Sequence, residues 1–191
     1  MAREGEHIGE QFDADVNLSR AVWCTIRHLR PARVVETGVA RGVTSWVILE
    51  ALAMNGTGHL WSIDLPNLAW AFDAGDAIPT RLRPHWTYLR GASTRVLPRL
   101  VHELGEIDVF IHDSLHTERN VRFELETAWP AVTAGGLMIV DDIDDAAAFG
   151  AGRAFTSFVC DRTPPHWLVG PQDEKPGCFG VIAKTAVPVR E

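Results

Sequence analysis

Cysteine, long apolar runs and positive charge are all scarce in this chain. Among its 191 residues there are three cysteines, well separated and without a CxxC pair. That number and spacing argue against a disulfide framework or a structural zinc site, so we expect a reducing, cytoplasmic environment. No apolar run reaches the roughly 18–20 residues that a membrane-spanning helix needs, and the charged N-terminus lacks the apolar core of a signal peptide.

The excess of acidic residues limits the classes of binding partner that we expect. A formal net charge of -7 disfavours a nucleic-acid-binding surface, and nothing predicts a membrane partner. The length predicts one domain, residues 31–191, preceded by an N-terminal segment and helix, residues 1–30. For residues 1–30 we consider two roles, a lid over a binding site or a contact in a homodimer.

Segments typical of strands and helices alternate along the chain. Strands are predicted at 33–36, 58–64, 86–90, 107–112 and, after a glycine turn at 134–136, at 137–140. Helices are predicted at 15–29, 44–54, 94–103 and 117–129, while 66–84 reads as irregular. The segments 155–160 and 179–183 add either two strands or a helix and a strand. This repetition predicts the α/β class, a single-domain, doubly wound, mostly parallel sheet with helices on both faces.

Polar residues stand at the carboxyl ends of the predicted strands, namely Glu36, Asp64, Ser93, Asp113 and Asp141. Ligands of open parallel sheets bind outside these strand ends, so the five side chains are expected to share one rim. Acidic residues at strand ends also cap helices or face water, and that alternative stays open here.

The loop after the first strand carries Gly38 and Gly42 in a G-x-x-x-G spacing, directly behind Glu36. A dinucleotide loop needs G-x-G-x-x-G to cradle a pyrophosphate, and a carboxylate at this place would repel one. S-adenosylmethionine fits better, because it offers an ammonium and a sulfonium and has no phosphate. Asp64 is expected to accept hydrogen bonds from ribose hydroxyls, and the adenine is expected near Ser93.

Four stretches of the sequence carry a family resemblance: 34–45 (VVETGVARGVTS), 63–64 (ID), 110–116 (FIHDSLH) and 135–142 (GGLMIVDD). They resemble class I S-adenosylmethionine-dependent methyltransferases, in particular a small bacterial branch related to the metal-dependent O-methyltransferases of the catechol, caffeoyl-coenzyme-A and macrolide-sugar types. The resemblance spans about residues 30–145. It implies a Rossmann-like methyltransferase fold and an enzyme of small-molecule or secondary metabolism that methylates a small-molecule acceptor, with a hydroxyl expected.

Cofactor-binding residues follow from the strand ends and from this resemblance together: Glu36, Thr37, Gly38, Gly42, Thr44, Ser45, Asp64, Ser93 and Asp113. Oxygen ligands at the ends of the fourth and fifth strands, Asp113, Asp141 and Asp142, suit Mg²⁺ or another divalent cation. In the metal-dependent enzymes that the chain resembles, the matching positions hold Mg²⁺. A solvated acidic loop is the alternative for the same residues.

His116 follows Asp113 by three residues, and we expect the two to form the catalytic pair. A neutral imidazole at this place can take the proton of an acceptor hydroxyl. An exposed histidine at a helix start is the alternative. Two other functions stay open for the whole chain: a nicotinamide-dependent oxidoreductase on a Rossmann-like fold, and a noncatalytic nucleoside-binding partner protein.

Overall fold

A central sheet with helices on both faces organises the computed structural model, which describes residues 16–66, 73–144, 150–170 and 178–185. The strands are β1 Arg33–Thr37, β2 His59–Asp64, β3 Trp86–Arg90, β4 Ile107–His112, β5 Val132–Val140, β6 His166–Val169 and β7 Phe179–Ala183. The helices are α1 Val16–Leu29, α2 Val43–Asn55, α3 Ser93–Leu104, α4 Glu118–Ala128 and α5 Ala151–Arg162. Two 3-10 helices cover Thr80–His85 and Trp129–Ala131.

The strand order is β3-β2-β1-β4-β5-β7-β6. Strands β1 to β5 pair in parallel, whereas β7 runs antiparallel to both of its neighbours, β5 and β6. The α/β prediction of a doubly wound, mostly parallel sheet is therefore confirmed. The connection after β1 leads to β2 on one side and the connection after β4 leads to β5 on the other, so the neighbouring ends of β1 and β4 form the switch point where such folds bind ligands.

Two apolar layers hold the helices against the sheet. On one face, Leu18, Val22 and Ile26 of α1 pack with α2 residues over β1 and β4. On the other face, α3, α4 and α5 cover the same strands. Helix α1 thus belongs to the core of the domain, while residues 1–15, the rest of the predicted N-terminal segment, lie outside the described residues. Within the described part, no helix has the length and apolar character that crossing a membrane requires.

Strand β5 is longer than its sequence predicts. The glycine turn expected at 134–136 lies inside the strand, because Gly135 N–H donates to the Lys184 carbonyl and Lys184 N–H donates to Gly136. The segment 155–160 lies in helix α5, and β6 is an additional strand. The pairing of Gly135 and Gly136 with Lys184 joins residues far apart in the chain, so the local sequence pattern did not reveal it. Part of 66–84, predicted as irregular, forms the 3-10 helix Thr80–His85, and residues 67–72 lie outside the described residues.

Candidate functional site

The loops after β1 and β4 meet at the switch point of the sheet. Thr37 and His112 are paired at the ends of the two strands, and Asp113 N–H donates to the Thr37 carbonyl at 2.8 Å. Asp141 N–H continues the same ladder by donating to the His112 carbonyl at 3.0 Å. The parallel pairing therefore brings the strand ends that carry Glu36, Asp113 and Asp141 to one rim, as the sequence pattern predicts.

The glycine loop depends on two residues in the left-handed region, Gly38 and Gly42, both with φ of 87°. A Cβ on Gly38 would lie 1.8 Å from the Asp113 carbonyl oxygen, and one on Gly42 would lie 2.8 Å from Cα of Gly75. A side chain at either place would displace backbone. The glycines thus allow loops of this protein to touch one another, a use that the G-x-x-x-G spacing alone did not reveal.

Glu36 is fully buried at the end of β1. Its Oε2 accepts hydrogen bonds from Ser45 Oγ at 2.6 Å and from Ser62 Oγ at 2.7 Å. Its Oε1 is buried as well and has no hydrogen-bond partner among the described residues. Burial raises the pKa of Glu36 to about 7, because a carboxylate loses its hydration there. The side chain is therefore poised to ionise when a cationic or hydrogen-bond-donating group approaches Oε1.

Asp64 fixes the shape of the glycine loop. Its Oδ2 accepts hydrogen bonds from the backbone N–H groups of Val39 and Ala40, each at 2.9 Å. Ala40 has a positive φ of 46°, so this pair of bonds holds a backbone conformation that L-residues rarely adopt. Oδ1 accepts from Leu65 N–H at 2.7 Å. The side chain predicted to bind ribose thus also ties the end of β2 to the loop after β1.

The hydroxyl groups predicted for the cofactor site form hydrogen bonds within the protein. Thr44 Oγ1 lies 3.3 Å from Asp113 Oδ2, and Ser93 Oγ lies 3.5 Å from Asn120 Oδ1. Ser45 donates to Glu36 and Thr37 donates to Glu124. Three of these side chains therefore contact carboxyl groups of the site, while Ser93 contacts the amide of Asn120.

A mixed cluster of carboxylates and imidazole lies beside this loop. Asp113, His116 and Asp141 each offer a potential ligand atom, and the three atoms lie within 4.8 Å of one another. His116 Nε2 is 3.9 Å from Asp113 Oδ1, and its Nδ1 is 3.4 Å from Asp142 Oδ2. The structure thus groups two of the three predicted metal ligands with His116, while Asp142 contacts the opposite side of the imidazole.

Burial and crowding change the protonation of this cluster. Burial first, and then the charges of Glu36 and Asp142, raise the pKa of Asp113 to about 7. Burial lowers the pKa of His116 below its usual value, and the neighbouring His112 lowers it further. A neutral imidazole thus faces a carboxyl group that gives up its proton readily only when another positive charge is near.

The sequence analysis did not single out Glu124, which contacts His112 behind the site. Both are fully buried, and His112 Nδ1 lies 2.6 Å from Glu124 Oε2. A signal was present: the buried face of α4 otherwise consists of Val121, Leu125 and Ala128, so a glutamate among them is an exception.

Known proteins are similar to this chain in sequence or in fold. A family model described as "Methyltransferase domain" matches residues 35–143. The fold is similar to that of TomG, an O-methyltransferase from Streptomyces achromogenes involved in tomaymycin synthesis and solved with SAM, at a TM-score of 0.73 and 14% identity, covering 92% of this chain and 83% of that one. It is also similar to an O-methyltransferase from Bacillus cereus solved with SAH, at a TM-score of 0.69 and 12% identity, covering 91% and 84%.

A third similar structure is CalS11, a TDP-rhamnose 3'-O-methyltransferase of calicheamicin biosynthesis. Its TM-score is 0.65 at 17% identity, covering 85% of this chain and 77% of that one. At these identities, the structural likeness shows a shared fold. No curated protein sequence matches the chain.

Proposed function

The chain belongs to the methyltransferase-domain family, and on that premise we propose that it transfers a methyl group from S-adenosylmethionine to a hydroxyl group of a small molecule. The family match confirms the resemblance predicted from the strand-end motifs and the prediction of a methyltransferase. The observation that carries the choice of donor is the buried, unpartnered Oε1 of Glu36 beside the glycine loop, as judged among the described residues.

The residues around the loop fit such a donor. Glu36 Oε1 would accept a hydrogen bond from the ammonium of the methionine part, and the positive charge would keep Glu36 ionised. Asp64 already aligns the loop through Val39 and Ala40, and a carboxylate has lone pairs left for the ribose hydroxyls. A pyrophosphate, by contrast, would meet the charges of Glu36, Asp64 and Asp113 together.

On the side of the site where the methyl acceptor would bind, the carboxylate oxygens suit a divalent cation as ligands. Asp113 and Asp141 offer carboxylate oxygens within 4.8 Å of each other, and Asp142 follows directly. Burial, and then the charges of Glu36 and Asp142, raise the pKa of Asp113 to about 7. A bound cation would hold the acceptor oxygen and lower the pKa of its hydroxyl. His116 lies between Asp113 and Asp142 and, with its lowered pKa, is neutral and able to accept the hydroxyl proton.

The reaction that these residues would support is an in-line displacement. The acceptor oxygen forms a bond to the methyl carbon as the bond from that carbon to sulfur breaks, which leaves S-adenosylhomocysteine. The hydroxyl proton passes to the imidazole of His116. Because the sulfonium is already activated, most of the protein's contribution is alignment: Glu36 and Asp64 place the donor, and Asp113, with the acids after β5, places the acceptor.

Calorimetry tests the donor site. S-adenosylhomocysteine should bind the wild type, and Asp64→Ala should weaken binding about 10- to 100-fold, which is the value of a charge-assisted hydrogen bond. Asp161→Ala, an exposed aspartate on α5, is the control and should leave the affinity unchanged. Binding of NADH in place of S-adenosylhomocysteine would favour the oxidoreductase alternative.

Transfer of a labelled methyl group from S-adenosylmethionine to a panel of phenol, catechol and sugar hydroxyls tests the reaction itself. Product with a hydroxyl acceptor supports the proposal. A protein that binds S-adenosylhomocysteine but methylates no member of the panel, nor any amine included beside it, would favour the noncatalytic nucleoside-binding alternative.

A further inference from the structure

Glu124 is a fully buried carboxylate at the centre of a polar network behind the site. Its Oε2 accepts hydrogen bonds from Thr37 Oγ1 at 2.5 Å and from His112 Nδ1 at 2.6 Å. Its Oε1 accepts from Ser114 Oγ at 2.8 Å and from Asn120 Nδ2 at 2.9 Å. Four side chains from the ends of β1 and β4 and from the start of α4 thus converge on one acid.

This number of donors explains how a carboxylate can be buried here. Desolvation opposes the charge, but the hydrogen bonds and the charge of His112 outweigh it and lower the pKa of Glu124 to about 2. A buried anion is tolerated only when its lone pairs are satisfied in this way. Its neighbours on the buried face of α4 are apolar, so packing alone would favour an apolar residue at this position.

The network reaches both halves of the site. Thr37 leads into the glycine loop, whose residue Gly38 touches the backbone of Asp113. His112 and Ser114 flank Asp113 on either side. Glu124 therefore holds the loop after β1 through Thr37 and the loop after β4 through the two residues around Asp113, although it lies outside both loops itself.

His112 extends the network towards His116. With Nδ1 bound to Glu124, its Nε2 is buried and has no partner among the described residues. The two imidazole rings are 5.4 Å apart between centroids and meet edge to face at 82°. The orientation of the His112 ring, which Glu124 fixes, therefore sets one wall against which the ring of His116 packs.

We infer that Glu124 is a positioning residue of the active site, which orients the His116 imidazole through His112 and holds the glycine loop after β1 through Thr37. The inference rests on the proposed function for its catalytic meaning, whereas the arrangement of the side chains can be tested without any acceptor. Glutamine at position 124 keeps the size of the side chain but replaces one acceptor oxygen by an amide donor, so it loses either the bonds from Thr37 and His112 or the bonds from Ser114 and Asn120, and it carries no charge.

The first experiment compares Glu124→Gln with Glu126→Gln, the same substitution at an exposed position of the same helix. In histidine-selective ¹⁵N NMR at one fixed pH, wild-type His112 should show a hydrogen-bonded Nδ1–H. Glu124→Gln should shift or lose that signal and shift the resonances of His116, and Glu126→Gln should change neither. Unchanged histidine resonances in a folded Glu124→Gln protein would overturn the inference.

Two further variants each remove one contact of Glu124, and together they separate positioning from a general loss of stability. They also test the inference if Glu124→Gln does not fold. Thr37→Val should weaken S-adenosylhomocysteine binding and leave the His116 resonances in place. His112→Asn, which keeps a donor for Glu124 but removes the ring, should shift the His116 resonances and leave that binding unchanged. Equal effects of the two variants on both measurements would show a merely structural network and contradict the inference.

Turnover supplies the last measurement. With an acceptor found in the hydroxyl panel, Glu124→Gln should lower kcat about 10- to 100-fold, the usual effect of removing a group that orients a site residue. The KM for the acceptor should change little, because Glu124 does not touch it. Failure of the wild type to bind S-adenosylhomocysteine would contradict the proposed function alone, since the histidine spectra report on Glu124 independently.

Discussion

The carbonyl oxygen of Asp113 lies where a side chain on Gly38 would begin: a Cβ on Gly38 would be 1.8 Å from it. The backbone hydrogen bond from Asp113 to Thr37, one residue earlier, closes the same contact. The loops after β1 and β4 are therefore in direct contact, and we expect a substitution in one loop to alter the structure of the other.

Gly38→Ala should both destabilise the protein and abolish binding of S-adenosylhomocysteine. The left-handed backbone costs an alanine about 1 kcal/mol, and the clash with Asp113 adds about 1–3 kcal/mol of overpacking. Gly56→Ala is the matched control, because Gly56 also has a positive φ, 69°, but a Cβ there would meet nothing within 4 Å. Chemical denaturation of both variants measures the difference, and equal losses would show that the contact with Asp113 is unimportant.

Glu36→Gln should change how stability depends on pH. Burial raises the pKa of Glu36 from 4.5 to about 7, so the folded state favours the protonated acid. The stability that this proton contributes is present below pH 4.5 and is lost as the pH rises through 7. The free energy of unfolding of Glu36→Gln relative to wild type should therefore grow between pH 5 and pH 8, by up to about 3 kcal/mol.

Urea denaturation at several pH values measures this change, and Glu103→Gln, an exposed glutamate on α3, is the control. Parallel curves for Glu36→Gln and wild type would contradict the raised pKa. The same titration predicts tighter binding of S-adenosylhomocysteine as the pH rises from 6 to 8, because an ionised Glu36 attracts the ammonium. That pH dependence should disappear in Glu36→Gln.

Chelation should lower methyl transfer, and Mg²⁺ or Mn²⁺ should restore it. Asp113 and Asp141 lie close to His116, and a cation there would offset the charges of Glu36 and Asp142 that oppose the ionisation of Asp113. Asp141→Asn should raise the metal concentration that gives half-maximal activity, and electron paramagnetic resonance of Mn²⁺ should show weaker binding. Asp161→Asn serves as the control, and full activity after exhaustive chelation would make these acids direct contacts of the acceptor.

His116→Asn should lower kcat by at least about tenfold, the lower part of the range for a positioned base. Binding of S-adenosylhomocysteine should stay intact, because His116 faces the acidic cluster on the acceptor side. Since burial lowers the pKa of His116, the wild-type rate should fall only below the usual histidine range near pH 6.5. A mutant with wild-type kcat, or with the same acid limb, would assign the limb to another group.

Much of this molecule followed from local sequence patterns. The alternation of apolar segments predicted the α/β sheet, and the end of each parallel strand placed Glu36, Asp64, Asp113 and Asp141 at one rim, because parallel strands end on the same side. The carboxylate before Gly38 also indicated the chemistry of the donor, since its charge disfavours a pyrophosphate.

Other features were decided by contacts between distant parts of the chain. The pairing of Gly135 and Gly136 with Lys184 extends β5 through a segment that reads as a turn. Tertiary packing buries Glu36 and leaves its Oε1 without a hydrogen-bond partner among the described residues, and no local pattern reveals this burial. The network around Glu124 joins residues as far apart as 87 positions, and its hydrogen bonds exist only because the ends of β1 and β4 are neighbours in the sheet. Sequence pattern thus determined which groups reach the rim, and tertiary packing determined which of them are charged, which are paired, and which remain free to act.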